Sequence, residues 1–155
     1  MKKVLFAAFW VFCLCGCKQI IDYGTDARTA ARYKDISLYY GNFGGIHTVE
    51  DIPYWMNFFV SYQASSDLQT PEECLKSGHG DCEEFSLLYL NIRYVVFHEK
   101  GELCIVDTGR TVEAGGTIGD HAVVRYGSKL IEPQTGEEVY YTVCYSYAFD
   151  DIFSK

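Results

Sequence analysis

The sequence is short of basic residues and of apolar runs long enough to cross a membrane. Lys and Arg number 13 against 21 Asp and Glu, which gives a net charge of −8. Proteins that bind nucleic acid neutralise phosphates with basic surfaces, so this composition excludes that class of partner. The apolar run at residues 4–14 is too short for a bilayer-spanning helix, which needs about 20 residues. Internal repeats and low-complexity segments are absent as well, which excludes repeat architectures.

The first 17 residues have the organisation of an export signal. Lys2 and Lys3 precede the apolar run, as in the n-region and h-region of a secretory signal peptide. The segment LCGC at residues 14–17 resembles a bacterial lipobox, which implies cleavage before Cys17 and a lipid on its thiol. An ordinary signal peptide or an uncleaved anchor is the alternative. Without residues 1–16, eleven basic and 21 acidic residues remain, so the lipid rather than charge would hold the exported protein at the bacterial cell envelope.

Cysteines are also too few for a disulfide framework. The chain has seven, and three of them fall within the first 17 residues. If one of the remaining four is a free nucleophile, at most one disulfide can form among the other three. The four remaining cysteines are Cys74, Cys82, Cys104 and Cys144.

Length and composition predict one globular domain. A chain of 155 residues with 48% hydrophobic content can bury a single core, and its 13 Tyr and 10 Phe favour a fold that contains β-structure. We assign residues 1–16 to a signal peptide, 17–45 to the lipidated N-terminus and a linker, and 46–155 to the domain, which we expect to be monomeric. Helical patterns precede strand patterns along the chain, which predicts an α+β fold.

Three helices are predicted in the first half of the domain. Asp51 opens the first, with Pro53 in its first turn. The sequence TPEE at residues 70–73 is a capping box for a short helix that ends by Gly78. A central helix follows over residues 82–98, although its last turn could also be strand. The buried face of the first helix is predicted from aromatic residues at spacings of three and four: Trp55, Phe58, Phe59 and Tyr62.

The second half of the domain predicts an antiparallel sheet. Gly127 and Ser128 form a two-residue hairpin loop between two of its strands. A short tail follows the last strand. The predicted strands cover residues 103–107, 121–126, 129–132 and 139–147.

The stretch GHGDCEEF at residues 78–85 is the centre of the chemistry. Asp81 followed by Glu84, ahead of an apolar helical run, is a capping signature that places Cys82 in the first turn. Backbone N–H groups and the helix dipole favour the thiolate there, so the thiol can act as a nucleophile; the alternative is a small apolar residue that opens a helix. Acidic neighbours oppose the thiolate by raising the pKa of the thiol.

The late hairpin brings an imidazole close to a carboxylate. A two-residue loop pairs Tyr126 with Lys129, and the register then places Val123 opposite Glu132. Because side chains alternate between the faces of a strand, His121 and Glu132 share one face as diagonal neighbours, about 7 Å apart between Cβ atoms. The sequence therefore predicts an imidazole held by a carboxylate.

Four motifs of this chain resemble the transglutaminase-like superfamily, and most closely its bacterial cysteine peptidases. They are TPEE at 70–73, GDCEEF at 80–85, DHAVV at 120–124 and IEP at 131–133, and the likeness covers about residues 50–135. The resemblance implies a papain/transglutaminase-like fold, in which helices pack on an antiparallel β-sheet and the nucleophile lies at a helix N-terminus.

The resemblance also implies catalytic roles. Cys82 would be the nucleophile, His121 the general base and then acid, and Glu132 would replace the aspartate usual in the family, with Gln134 as the alternative orienting residue. Cys82 would attack a carbonyl to form a thioester, and its backbone N–H would stabilise the oxyanion. Candidates for a second oxyanion donor are Gln63, Gln69 and Tyr62.

Metal sites are also conceivable near the cysteine. By resemblance, Asp81 and Glu83 could bind calcium, which would offset the repulsion between the thiolate and the acids; otherwise Glu83 and Glu84 would be solvated and favour the helix dipole. Cys74, His79 and Cys82 could form part of a zinc site, or Cys74 and Cys82 a disulfide. The catalysis itself requires no cofactor.

These observations predict an exported lipoprotein with a thiol peptidase or amidase site. Its substrate would be a peptide, a protein or peptidoglycan. The alternatives are a catalytically inactive binding module of the same fold and an acyl-transferring enzyme.

Overall fold

The computed structural model describes residues 43–64, 68–109 and 121–153. The predicted signal peptide and the lipidation site at Cys17 lie outside these residues. Within the described ranges, no helix has the length and apolar character needed to cross a membrane. Phe43 is buried and its ring packs edge-on against Trp55.

The described chain forms four helices and seven strands, in an order that starts with helices and continues with strands. The helices are α1 (Asp51–Phe59), α2 (Pro71–Ser77), α3 (Cys82–Phe97) and α4 (Phe149–Phe153). The strands are β1 (Ser61–Tyr62), β2 (His79–Gly80), β3 (Glu102–Asp107), β4 (His121–Tyr126), β5 (Lys129–Ile131), β6 (Glu138–Val139) and β7 (Thr142–Ala148).

Five strands form one antiparallel sheet in the order β6-β5-β4-β3-β7. The predicted hairpin register is confirmed, since Tyr126 pairs with Lys129 and Val124 with Ile131. Strands β1 and β2 form a separate parallel pair. The predicted α+β class with an antiparallel sheet is therefore confirmed.

Helix α3 is the central element, and it packs more extensively against β4 than against any other strand. Its N-cap is Asp81, as predicted, and its C-cap is His98, which adopts the left-handed conformation. All eleven residues from Cys82 to Ile92 are buried. The last turn, residues 94–97, is helical.

The aromatic face predicted for α1 is wrong except at Trp55, which is partly buried and packs against the core. The residues that α1 buries are Ile52, Pro53 and Met56, whereas Phe58 is 81% exposed and Phe59 is 42% exposed. Tyr62 lies beyond the helix, in β1. Aromatic side chains share the spacing of a buried face, but the smaller aliphatic residues one position away fill the space next to α3.

Three smaller expectations also need correction. Asp51 is the first residue of α1, and the N-cap is Glu50. The carboxylate of Asp51 accepts the N–H groups of His47 and Thr48 in the preceding turn. The last predicted strand is divided, because the chain leaves β6 and re-enters the sheet as β7 on the opposite edge. The predicted tail is helix α4.

The two faces of the large sheet bury different side chains. Leu103, Ile105, Ala122 and Val124 belong to the larger core cluster, together with the buried residues of α1 and α3. The opposite face carries a smaller cluster. Its buried members are Cys104, Val106, Val123 and Leu130.

The corrected face of α1 can be tested by paired truncations. Met56→Ala should lower the free energy of unfolding by about 2 to 5 kcal/mol, because it opens a cavity in the core. Phe58→Ala should change it by less than about 0.5 kcal/mol, because the ring is exposed. Urea denaturation of both variants checks this; a larger loss for Phe58→Ala would restore the aromatic face.

Candidate active site

The nucleophile turn, which we define as residues 78–82, is held from three directions. Gly78 ends α2 in the left-handed conformation. The N–H of Gln63 donates to the carbonyl of Gly80 at 2.8 Å, and the side-chain amide of Gln69 donates to the carbonyl of His79 at 3.2 Å. These contacts fix the path of the backbone into Cys82.

Gly80 is required in this turn by close packing. A Cβ atom at this position would lie 2.7 Å from the Cβ of Glu84 and 2.9 Å from the Sγ of Cys74. Both neighbours are buried, so neither can move aside at low cost. The glycine therefore allows α2 and α3 to approach each other at the nucleophile.

The acids next to Cys82 are buried rather than solvated, which corrects the expectation for Glu83 and Glu84. Asp81 accepts the N–H of Glu83 through Oδ1 at 3.0 Å. Glu84 accepts the N–H of Asp81 through Oε2 at 2.8 Å and the N–H of Gln69 through Oε1 at 2.9 Å. Glu84, which closes the capping box of α3, therefore also binds the segment that precedes α2.

The pKa of the Glu84 carboxyl is raised to about 7. Burial is the main cause, and a hydrogen bond with the Asp81 side chain acts in the same direction. The two backbone N–H groups act in the opposite direction, because they stabilise the carboxylate. Burial also raises the pKa of the nearby Cys74 thiol to about 12. Cys74 is therefore a packed, unreactive thiol at neutral pH.

His121 and Glu132 lie in direct contact, as the hairpin register predicted. The His121 Nε2 and the Glu132 Oε2 are 2.6 Å apart, and both side chains are mostly buried. The contact joins Nε2, one of the two ring nitrogens, to a carboxylate oxygen, and so fixes the orientation of the imidazole. Gln134, the alternative partner, instead uses its backbone carbonyl to accept the side-chain amide of Asn57.

Tyr141 is a neighbour of the imidazole that sequence reasoning missed. Its ring meets that of His121 edge-on, with 6.3 Å between centroids. Tyr141 lies between β6 and β7, where no periodic pattern marks it. The contact depends on the chain leaving one edge of the sheet and returning to the other.

Helix α3 and strand β4 run in the same direction, because Glu102, which follows α3 by five residues, pairs with Arg125 near the end of β4. The guanidinium carbon of Arg93 lies 3.6 Å from the ring centroid of Tyr126, and the Tyr89 ring lies 6.3 Å from it. Cys82 precedes Tyr89 and Arg93 by about 10 to 16 Å along the helix. His121 precedes Tyr126 by about 16 Å along the strand. Cys82 and His121 therefore belong to the same end of the helix–sheet layer.

The two side chains approach this end from different faces of the sheet. Cys82 and Ala122 belong to the larger cluster on the helix side. Alternation sends His121 to the face of Val123 and Val106. Because His121 is the first residue of β4, its imidazole lies at the rim of the sheet, and a contact with the thiol has to be made around the end of the strand.

The oxyanion candidates differ in their availability. The side chain of Gln69 is engaged, because its amide donates to His79 and its carbonyl accepts the Ser77 hydroxyl at 2.7 Å. Gln63 lies beside the nucleophile turn with an exposed side chain. Tyr62 is 54% exposed, with its ring 6.4 Å from that of Phe85. Gln63 therefore remains the best-placed candidate for a second donor.

The metal hypotheses find little support in the donor set. Across residues 43–64, 68–109 and 121–153, no group of three or more His, Cys, Asp or Glu could hold a metal ion. Calcium needs six to eight oxygen ligands, but Oδ1 of Asp81 and both oxygens of Glu84 already accept backbone N–H groups. A calcium site at Asp81 and Glu83 stays a prediction. Cys74, Cys82, Cys104 and Cys144 form no disulfide among the described residues, so a Cys74–Cys82 disulfide is wrong.

Comparison with known proteins returns no match: no family model, curated protein or solved structure is similar to this chain. The resemblance to the transglutaminase-like superfamily therefore stays a prediction from the motifs of the sequence.

The buried carboxyl of Glu84 predicts a specific pH dependence of stability. Its pKa is raised from 4.5 to about 7, so between these values the folded protein binds more protons than the unfolded chain. Its contribution is complete below the lower value and is lost as the pH rises through the higher one. Between about pH 5 and pH 7.5, wild type should lose about 1 to 3 kcal/mol more than Glu84→Gln.

Urea denaturation at the two pH values measures this difference. Glu73→Gln is the matched control, since Glu73 closes the capping box of α2 and is exposed. Equal pH dependence in wild type and Glu84→Gln would contradict the assignment.

The calcium hypothesis is tested by melting temperature. Because Asp81 and Glu84 already accept backbone N–H groups, we expect the same value in the presence of calcium and of a chelator. A reproducible rise with calcium that is lost in Asp81→Asn would restore the site.

Proposed function

We propose that this protein is a thiol hydrolase that cleaves an amide or peptide bond, with Cys82 as nucleophile, His121 as general base and acid, and Glu132 as the orienting carboxylate. The observation that carries the proposal is the 2.6 Å contact between His121 and Glu132, at the end of the sheet where α3 begins. The finer fold assignment, a papain/transglutaminase-like arrangement, is part of the same proposal.

Three features of the described residues support this chemistry. Cys82 opens a helix, where the dipole favours a thiolate. Glu132 contacts Nε2 of the His121 imidazole at 2.6 Å, which is how a carboxylate orients a catalytic base and stabilises its protonated form. The nucleophile turn is fixed by backbone hydrogen bonds to Gly80 and Asp81, which holds the sulfur in one place before substrate binds.

The proposed reaction uses Cys82, His121 and Glu132 in turn. His121 takes the proton of the Cys82 thiol, and the sulfur attacks the carbonyl carbon of the substrate. The C–N bond then breaks, the leaving amine receives the proton from His121, and a thioester remains. Water, deprotonated by the same imidazole, hydrolyses the thioester and regenerates the thiol. Glu132 stabilises the imidazolium that forms in both halves.

The oxyanion of each tetrahedral intermediate needs hydrogen-bond donors. The backbone N–H of Cys82 lies in the first turn of α3, where N–H groups point out of the helix. The Gln63 side chain is the candidate for a second donor, because its backbone is bound to Gly80 at 2.8 Å.

A binding module without catalysis is the second candidate, and one observation favours it. Cys82 is only 2% exposed, whereas a nucleophile has to reach a substrate carbonyl.

Transfer of the acyl group to an amine instead of water would use the same thioester and the same residues.

The cellular setting is part of the proposal. The lipobox at residues 14–17 supports lipidation of Cys17 and a place in the bacterial cell envelope, exported and held at the membrane by its lipid. There the substrates would be peptides, proteins or peptidoglycan. The acidic composition argues against nucleic acid, and we propose a monomer that requires no cofactor.

Alkylation by iodoacetamide tests the proposed pair. Wild type should label at Cys82 near neutral pH, and faster than at Cys74 or Cys104, whose burial raises the pKa of each thiol. His121→Ala should slow labelling of Cys82 by about tenfold or more, because the imidazole no longer takes the proton. Peptide mapping by mass spectrometry gives the rate at each cysteine.

His98→Ala is the matched control, since His98 is an exposed residue at the far end of α3. Equal, slow labelling of every cysteine, unchanged in His121→Ala, would favour the binding module.

A further inference from the structure

We propose that Glu84 is a positioning residue for Cys82, because one carboxylate fixes both the nucleophile turn and the segment that leads into α2. This inference rests on the proposed function and extends it to a residue that does not touch substrate. Glu84 is 1% exposed, so it can act only through the protein groups that it contacts.

The two oxygens of Glu84 have different partners. Oε2 accepts the N–H of Asp81, one residue before the nucleophile, at 2.8 Å. Oε1 accepts the N–H of Gln69, one residue before the N-cap of α2, at 2.9 Å. A single side chain therefore joins two segments that are separated by more than ten residues in sequence.

Gln69 completes a closed network. Its amide donates to the carbonyl of His79 and its carbonyl accepts the hydroxyl of Ser77. Glu84 thus holds Asp81 directly and His79 through Gln69. Displacement of this carboxylate would release the nucleophile turn at two points, and misplacement of a reacting group by about 1 Å can lower a rate about 100-fold.

Glu73 shows what an ordinary capping glutamate does in the same chain. Its Oε2 accepts the N–H of Thr70 at 2.9 Å, and Thr70 accepts the N–H of Glu73 in return. Glutamine can replace glutamate in this role, since one carbonyl oxygen accepts one N–H. It is a poor substitute for Glu84, whose two oxygens each accept one N–H, because the NH2 group of a glutamine would face one of these N–H groups as a second donor.

The groups that face Glu84 come from two elements. Asp81 precedes α3, and Cys74 belongs to α2; their charges interact with that of Glu84. Neither group can take over its role, because the Asp81 carboxylate caps the N–H of Glu83 and a thiol is a weak acceptor.

Iodoacetamide alkylation tests this role. The rate at Cys82 is measured across pH on the protein. Glu84→Gln should lower that rate by about tenfold or more and flatten its pH profile. Glu84→Asp keeps both acceptor oxygens and should recover part of the rate, whereas Glu73→Gln should stay within about twofold of wild type. Circular dichroism at the labelling temperature establishes that each variant is folded.

A double variant separates positioning from fold stability. If Glu84 acts through the Cys82–His121 pair, Glu84→Gln should slow labelling no further once His121→Ala is present. Folded Glu84→Gln protein with the wild-type rate and pH profile would overturn the positioning role and leave the proposed function intact. Failure of His121→Ala to affect wild-type labelling would instead overturn the proposed function.

If Glu84→Gln does not fold, Glu84→Asp alone decides the matter. A wild-type pH profile with at least part of the wild-type rate in Glu84→Asp supports the double acceptor. A loss as large as that of His121→Ala contradicts it, because both oxygens are still present.

Discussion

The structure depends on the burial of an acidic helix start. Asp81, Glu83 and Glu84 are all buried next to Cys82, although desolvation of carboxylates is costly. The fold offsets this cost with backbone N–H groups, which Asp81 and Glu84 accept from three residues. Those same hydrogen bonds fix the turn that presents the thiol, so the stability of this helix start and the geometry of the candidate nucleophile have one origin.

The second half of the site is independent of the first in its construction. The contact between His121 and Glu132 follows from a two-residue hairpin loop and from strand alternation, both of which are local to β4 and β5. The first half follows from helix capping and from the close approach that Gly80 permits. Helix α3, which packs along β4, joins the two halves in a single layer.

Local signals in the sequence were sufficient for much of this arrangement. The caps at Thr70 and Asp81 and the hairpin register each depend on a few neighbouring residues, and all are confirmed. The buried face of α1 was wrong because aromatic and aliphatic residues both recur at helical spacing, and only the neighbouring helix decides which set is covered. Tyr141 and the second partner of Glu84 depend on contacts distant in sequence, which no local pattern carries.

The central claim is that the Cys82 sulfur and the His121 imidazole meet at the rim of the sheet, and a short bifunctional reagent tests it most directly. Dibromoacetone alkylates the thiol first and then any imidazole nitrogen that a three-carbon bridge can reach. The account predicts one Cys82–His121 cross-link, found by mass spectrometry and lost in His121→Ala. Complete alkylation of Cys82 without a cross-link, in folded protein with His121 unmodified, would contradict it.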